Sequence, residues 1–230
     1  PSTTKIGENV HIAPHVVIEE NVNIGDGVRI GAGTFIGLNT TINKGSVISP
    51  NTCIYHDVTI GNHCIIDSGS VIGSDGFGLV KDNHTHHKMP HIGGVVIADS
   101  VWVGSNCCID RGTLTNTIIG DGSKLDNLVH IAHNVIIGKN CIIAGQVGIA
   151  GSSILEDDVI LAGQVGIVGH IKIGEGSTVA SKSVVYQSLE PRSVVSGIPA
   201  RCHKDRLRQD VLVNQLPDIL NRIRKLEKKL

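Results

Sequence analysis

An all-β solenoid is the fold that this 230-residue sequence predicts, and three observations predict it. Isoleucine recurs at positions 6, 12, 18, 24, 30, 36, 42, 48, 54, 60, 66 and 72, a period of six that neither an α-helix nor an isolated strand produces. Two residues before each of them stands a small or β-branched side chain, from Thr4 and Val10 through Cys64 and Ser70. Gly often follows, as at Gly7, Gly25, Gly31, Gly37, Gly61 and Gly73. Such a unit is a short extended segment with two inward side chains and a tight corner. It is the hexapeptide repeat of a β-solenoid, and three units close one triangular coil.

The elements follow in order. After the first twelve units the period fails over residues 73–92, GSDGFGLVKDNHTHHKMPHI, and returns as Ile97, Val103 and Ile109. A short insertion over Asp110 to Asn116 comes next, and the period then runs from Ile119 and Leu125 to Val179 and Val185. The sum is 27 units, or nine coils. At the ordinary strand spacing of roughly 4.8 Å they form a prism about 40 Å long. Beyond Val185 the run YQSLEPRSVVSGIPARC leaves the period, and Pro191 and Pro199 oppose strand pairing. The expected division is a solenoid domain over 1–196, interrupted by the 73–92 loop, and a helical extension over 197–230. Within the extension Pro217 is expected to separate two short helical segments, with Ile219, Ile223, Leu226 and Leu230 at 4-3-4 spacing. So short a stripe does not stand alone, and is expected to lie against the same helix of other subunits or against the solenoid base.

Composition narrows the function classes. Only two Phe, two Tyr and one Trp are present, as a thin core of one Ile per face requires, and the net charge is −1. Without stacking platforms or a basic balance, nucleic acid is not an expected ligand. The charge is uneven: residues 201–230 hold nine Lys/Arg against four Asp/Glu, leaving 11 against 17 in the body. A cationic tail on an acidic body points to an acidic macromolecular partner. Of the six Cys, Cys64 and Cys141 take the small inward position and the others lack CxxC spacing, so buried free thiols and a reducing compartment are expected. No signal peptide and no apolar window of transmembrane length is visible, and the chain lacks an initiator Met.

Function is expected where a rigid scaffold is broken. His84, His86, His87 and His91 lie in the 73–92 loop, where imidazoles suggest zinc, but no matched Cys or HExxH accompanies them and no metal site is expected. His130 and His133 flank Ile131, and His170 follows Ile167. The 37 residues from His133 to His170 are two coils plus one, which places both near one edge, about 10 Å apart along the axis. That suits two ends of one substrate better than one metal.

The runs VIGSDGFG (71–78), IDRGTL (109–114), IIGDGSKLDNLVHIAHNVIIG (118–138), IAGS (149–152), GHIKI (169–173) and SGIPA (196–200) together resemble the UDP-3-O-(3-hydroxyacyl)glucosamine N-acyltransferases of lipid A assembly. The resemblance spans essentially the whole chain, and DGFG, IDRG and DNxxxIAHN in this order carry its specificity. It implies a left-handed parallel β-helix, a cytoplasmic homotrimer with sites between subunits, and a 3-hydroxyacyl donor carried on acyl carrier protein, with no resident cofactor. On that resemblance His133 is the general base for the glucosamine 2-amine and the Gly151 N–H is the oxyanion donor, while Asp126, seven residues before His133 in the same motif, is expected to orient its ring. His170 contacts the UDP-sugar acceptor or the reaction centre, and Asp75, Gly76, Phe77 and Gly78 wall the cleft. Arg222, Arg224 and Lys225 of the basic tail are the expected contacts to acyl carrier protein, which is acidic. The family begins with a uridine-gripping domain, whereas this chain starts on its first coils. The alternatives are an acetyl-CoA-dependent nucleotide-sugar N-acetyltransferase, separated by donor use, a zinc-dependent β-helix carbonic anhydrase, separated by metal analysis, and a scaffold without activity.

Overall fold

The computed structural model describes residues 2–227. Three parallel sheets run along the prism. The strands of Ile6, Ile24, Ile42, Ile60, Ile97, Ile119, Ile137, Leu155 and Ile173 build the first, those from Ile12 to Val179 the second, and those from Ile18 to Val185 the third. Each sheet takes nine strands from the repeat, so the nine expected coils are the nine observed. The second sheet has two more: Val194–Ser196 extends it in parallel beyond Thr178–Val179, and Arg201–Cys202 returns antiparallel. The first six residues of the expected helical extension are therefore turn and strand.

Regular coils pair residues 18 apart, as Ile24 with Ile42. Across the two breaks Ile60 pairs with Ile97 and Ile97 with Ile119, so both insertions are excursions from a corner that leave the ladder in register. The longer one contains an antiparallel hairpin, Leu79–Asp82 with Thr85–Lys88.

Side-chain chemistry explains the coil. From Ile24 onward the inward Ile of the repeat are buried, each contributing about 1.5–3 kcal/mol relative to exposure, whereas Ile6 and Ile12 of the first coil, which has a neighbouring coil on one side only, are exposed. The small inward positions also hold Thr40 and Ser46, whose hydroxyls donate to the Tyr55 carbonyl at 2.9 Å and the Gly61 carbonyl at 2.8 Å, so burial leaves no unmet polar group there. Corners require the left-handed region, and Asn9, Asn21 and Asn39 adopt it with φ of 55°, 55° and 58°. Among the thiols Cys64, Cys107 and Cys141 are buried, whereas Cys108 and Cys202 are exposed and Cys53 is intermediate. The expectation of buried thiols therefore holds for three of the six, those at inward hexad positions.

The tail departs from expectation. One helix, His203–Glu227, runs unbroken through Pro217. A proline removes one ladder hydrogen bond and strains the preceding turn, which bends a helix without having to end it. None of the helix's residues is buried, so its apolar stripe is not laid against the solenoid base; Leu230 lies outside the described residues.

Candidate active site

On the outer surface of the third sheet, successive coils bring Cys108, His130, Gly148, Gly166 and Val184 into one column. The two glycines leave a gap two coils long between His130 and Val184, and a β-carbon at Gly148 would find nothing within 4 Å. The gap opens a groove of about 500 Å³ whose walls include Phe77, Ala132, Ala150 and Val168. It is an apolar trough with His133 and Gly151 in its lining.

His133 and Asn134 form the corner after Ile131. Asn134 is held at φ 60° by the turn, and its amide is fixed from two sides. Its Oδ1 accepts the Thr113 N–H at 3.0 Å, and its Nδ2 donates to Thr115 Oγ1 at 3.0 Å. Oδ1 also lies 3.1 Å from His133 Nδ1. An acceptor in that place assigns the ring proton to Nδ1, which leaves the Nε2 lone pair unprotonated. The next coil places Gly151 against that end of the ring: a β-carbon there would stand 2.7 Å from His133 Cε1 and Nε2, so only glycine leaves the imidazole its place.

The Gly151 N–H is also open. At the equivalent corner positions Glu8, Asn62, Ser105 and Lys139, the N–H is taken by Asp26, Asp99, Asn127 and Asp157 from the adjoining coil. Gly151 has no such acceptor among the described residues, because the coil beyond it offers Gly169 and His170. The Gly151 carbonyl accepts the His170 N–H at 3.1 Å instead.

The two insertions complete the site. Arg111, 1 % exposed, donates from Nε to the Gly73 carbonyl at 2.7 Å and from an Nη to the His56 carbonyl at 2.7 Å, which pins the root of the 73–92 loop. Asp75 pairs with Lys88 at 2.6 Å and lies 3.9 Å from Arg111, and the Lys88 hydrogen bond lowers its carboxyl from the ordinary value. Phe77 stands almost wholly exposed between the trough and a second cavity of about 540 Å³, which Asp75, Gly76 and Lys88 help to line. Asp110 lies at the junction of both cavities, accepting from Ser74 Oγ at 3.0 Å, with His130 Nε2 at 3.8 Å. Burial pushes its carboxyl up from the ordinary range.

The structure brings together His133, Gly151, Asp75, Gly76 and Phe77, and separates others. Asp126 does not orient His133. Seven residues is one six-residue unit plus one, so Asp126 falls at the preceding corner, on another edge of the prism, where it caps the Asn127 N–H at 2.7 Å and lines a depression with Trp102 and Lys124. Asn134 takes the place expected of it. His170 lies on the His133 edge two coils on, exposed, at φ 61°, and outside the trough's lining. The loop histidines divide: His86 and His87 lie exposed in the hairpin, whereas His91 is buried against His133. Among the described residues no three His, Cys, Asp or Glu are grouped to hold a metal. Arg222, Arg224 and Lys225 are exposed on the helix. Asp110, Arg111 and Asn134 stand inside the IDRG and IAHN runs without having been singled out by spacing, and His91, weighed above only as a metal ligand, belongs to the site by its packing on His133.

A left-handed parallel β-helix with a histidine beside an apolar trough at its corner defines a class, and the comparisons agree with it. The model of the bacterial transferase hexapeptide, six repeats, matches residues 3–38, 39–74 and 116–151, so the chain carries the repeats that this model describes. Within that class it is similar to UDP-3-O-acylglucosamine N-acyltransferases: 53 % identical over 182 residues to that of Pseudomonas putida strain F1, covering 79 % of this chain and 52 % of the relative. The Pseudomonas syringae pv. syringae protein of that name is 44 % identical over 180 residues, covering 78 % and 51 %. The chain thus spans about half the length of the curated relatives it matches. Among solved structures, the UDP-N-acetylglucosamine O-acyltransferase of Moraxella catarrhalis superposes with a TM-score of 0.76 at 27 % identity, over 88 % of this chain and 77 % of the other. The Arabidopsis UDP-N-acetylglucosamine acyltransferase shares the fold, with a TM-score of 0.73 at 24 % identity, over 91 % and 74 %. Among the described residues no helix is long and apolar enough to cross a membrane.

Proposed function

We propose that this chain is the acyl-transfer part of a UDP-3-O-acylglucosamine N-acyltransferase, moving a 3-hydroxyacyl chain from acyl carrier protein to the sugar 2-amine in lipid A biosynthesis, in the cytoplasm. The observation that carries the reading is the pair of His133 Nε2 and the open Gly151 N–H at an apolar trough. The names of the relatives support the choice of acceptor and of amide formation.

The chemistry follows from the geometry. The amine attacks the thioester carbonyl, a C–N bond forms, and His133 Nε2 removes the amine proton. The carbonyl oxygen gains charge, which the Gly151 N–H stabilises without reorganising. The C–S bond then breaks, and the proton on His133 passes to the departing thiolate. A thioester is already activated, so this sequence requires no resident metal or cofactor. The trough beyond His130 takes the hydrocarbon, and its glycine floor gives a chain about two coils of contact. The second cavity, between Phe77 and Lys88, is left for the polar acceptor or the pantetheine arm, with His170 further along the edge as an acceptor contact. The exposed strand faces and the uncovered helix stripe favour a homotrimer, and the basic helix end favours an acidic carrier protein.

The test uses the complete gene product that contains this chain. Incubated with a 3-hydroxyacyl carrier protein and UDP-3-O-acylglucosamine, it is expected to give an amide product by mass spectrometry, and none with acetyl-CoA. Transfer from acetyl-CoA alone would replace this reading with the acetyltransferase. Light scattering of this chain is expected to give three times the monomer mass.

A further inference from the structure

His91 is 6 % exposed and stands beneath the loop that walls the site. Its Nδ1 lies 3.0 Å from the Met89 carbonyl, an acceptor, so the ring proton sits on Nδ1 and the lone pair on Nε2. That Nε2 is buried with no hydrogen-bond partner among the described residues. Its ring meets the His133 ring edge to face, with centroids 5.3 Å apart and planes at 65°. A β-carbon at Gly76 would fall 2.9 Å from His91 Nε2, 2.8 Å from His133 Cβ and 2.9 Å from His133 Cδ2. The unpaired lone pair of one imidazole and the carbon edge of the other therefore converge on one spot, kept clear by a glycine. A buried acceptor with nothing to accept is costly and calls for an explanation.

We infer that His91 is a positioning residue for His133, its buried Nε2 lone pair holding the negative end of a fixed dipole toward the ring and favouring the imidazolium that proton removal creates. A dipole fixed before the reaction acts most on the state that carries charge. The other charged and titratable groups around the pair are Asp110, Asp75, His130, Lys88 and Arg111. Asp75 is held by Lys88 and Arg111, and Asp110 by Ser74 with His130 beside it. His91 is the neutral member, and it reaches His133 from the side opposite Asn134's hold on Nδ1.

This inference rests on His133 being the base, and its test separates the two claims. Diethyl pyrocarbonate acylates unprotonated imidazole, so the pH dependence of its reaction at His133, followed by peptide mass spectrometry on the complete protein, reads the protonation of that ring without any turnover. In His91→Leu the midpoint at His133 is expected to fall by roughly half a pH unit or more, and kcat to fall about threefold or more as the base weakens. The acidic limb of kcat/KM is expected to move to lower pH with it. His91→Gln, whose amide oxygen reaches the Nε2 position, is expected to restore most of the shift. Should the Leu variant fail to assemble, His91→Asn keeps the donor to Met89 and lacks the second acceptor, and is expected to show the same fall. An unchanged midpoint in a folded Leu or Asn variant, or a Gln variant as displaced as Leu, would overturn the inference. If His133 is not the base, His133→Ala turns over normally while the midpoint comparison still reads His91.

Discussion

Gly151 stands one coil beyond His133 with no room for a side chain between them: its β-carbon would lie 2.7 Å from the imidazole Cε1 and Nε2. The same residue carries an N–H that no carboxylate or amide among the described residues has claimed. Base and oxyanion donor are thus set by the coil spacing of the fold and by one absent methyl group.

Gly151→Ala is therefore expected to turn the His133 ring aside and lower kcat by on the order of 10², since misplacement of a reacting group by about 1 Å costs that much. Its melting temperature is expected to stay near that of the parent, because the ring at this corner is not core. Steady-state kinetics beside a thermal melt check it, and near-parental turnover would show that the contact is slack.

Asn134→Ala removes the acceptor that keeps the proton on His133 Nδ1 and also the tie to Thr113 and Thr115. The expected result is a fall in kcat of roughly 10² with KM little changed, since the loss falls on the base and not on binding. Asn134→Asp, which keeps an acceptor oxygen, is expected to lose less. Equal losses in both variants would count against the tautomer assignment.

Much of this was legible in the sequence. The six-residue period gave the coil count and, through 18-residue stacking, the shared edge of His133 and His170, while Gly151 came from the resemblance alone. Asp126 was misplaced because closeness in sequence was read as closeness in space: seven residues along a triangular coil turn one corner. Pro217 was over-read as a break, where a lone missing N–H only weakens a helix. His91 could not be found by spacing, since it lies in a loop whose path the period does not set, and only the fold returns it to His133.

Burial raises the Asp110 carboxyl, so the folded chain holds that proton to higher pH than the unfolded chain. Its contribution to stability is full below the unfolded carboxyl range near pH 4, and is lost as pH rises through the raised folded value. Asp110→Asn, which cannot ionise, is expected to melt higher than the parent at about pH 7.5, with the difference closing near pH 4. Melting curves across that range check it, and a destabilised Asn variant at neutral pH would mean that the ionised carboxylate is the favoured form.

Replacing Arg222, Arg224 and Lys225 with Glu is expected to weaken binding of acyl carrier protein, most at low ionic strength, because exposed charges are screened by salt. Calorimetry at two salt concentrations measures it. Binding unchanged and independent of salt would remove the helix from the carrier interface.

The central claim is that His133 takes the proton from the attacking amine. His133→Ala in the complete protein, assayed with a 3-hydroxyacyl carrier protein and UDP-3-O-acylglucosamine, is expected to lose on the order of 10² to 10⁴ in kcat with its fold intact, the usual share of a positioned base. His170→Ala, two coils along the same edge, is expected to act mainly on the acceptor KM. A His133→Ala enzyme that keeps more than about a tenth of the parental kcat would contradict the account.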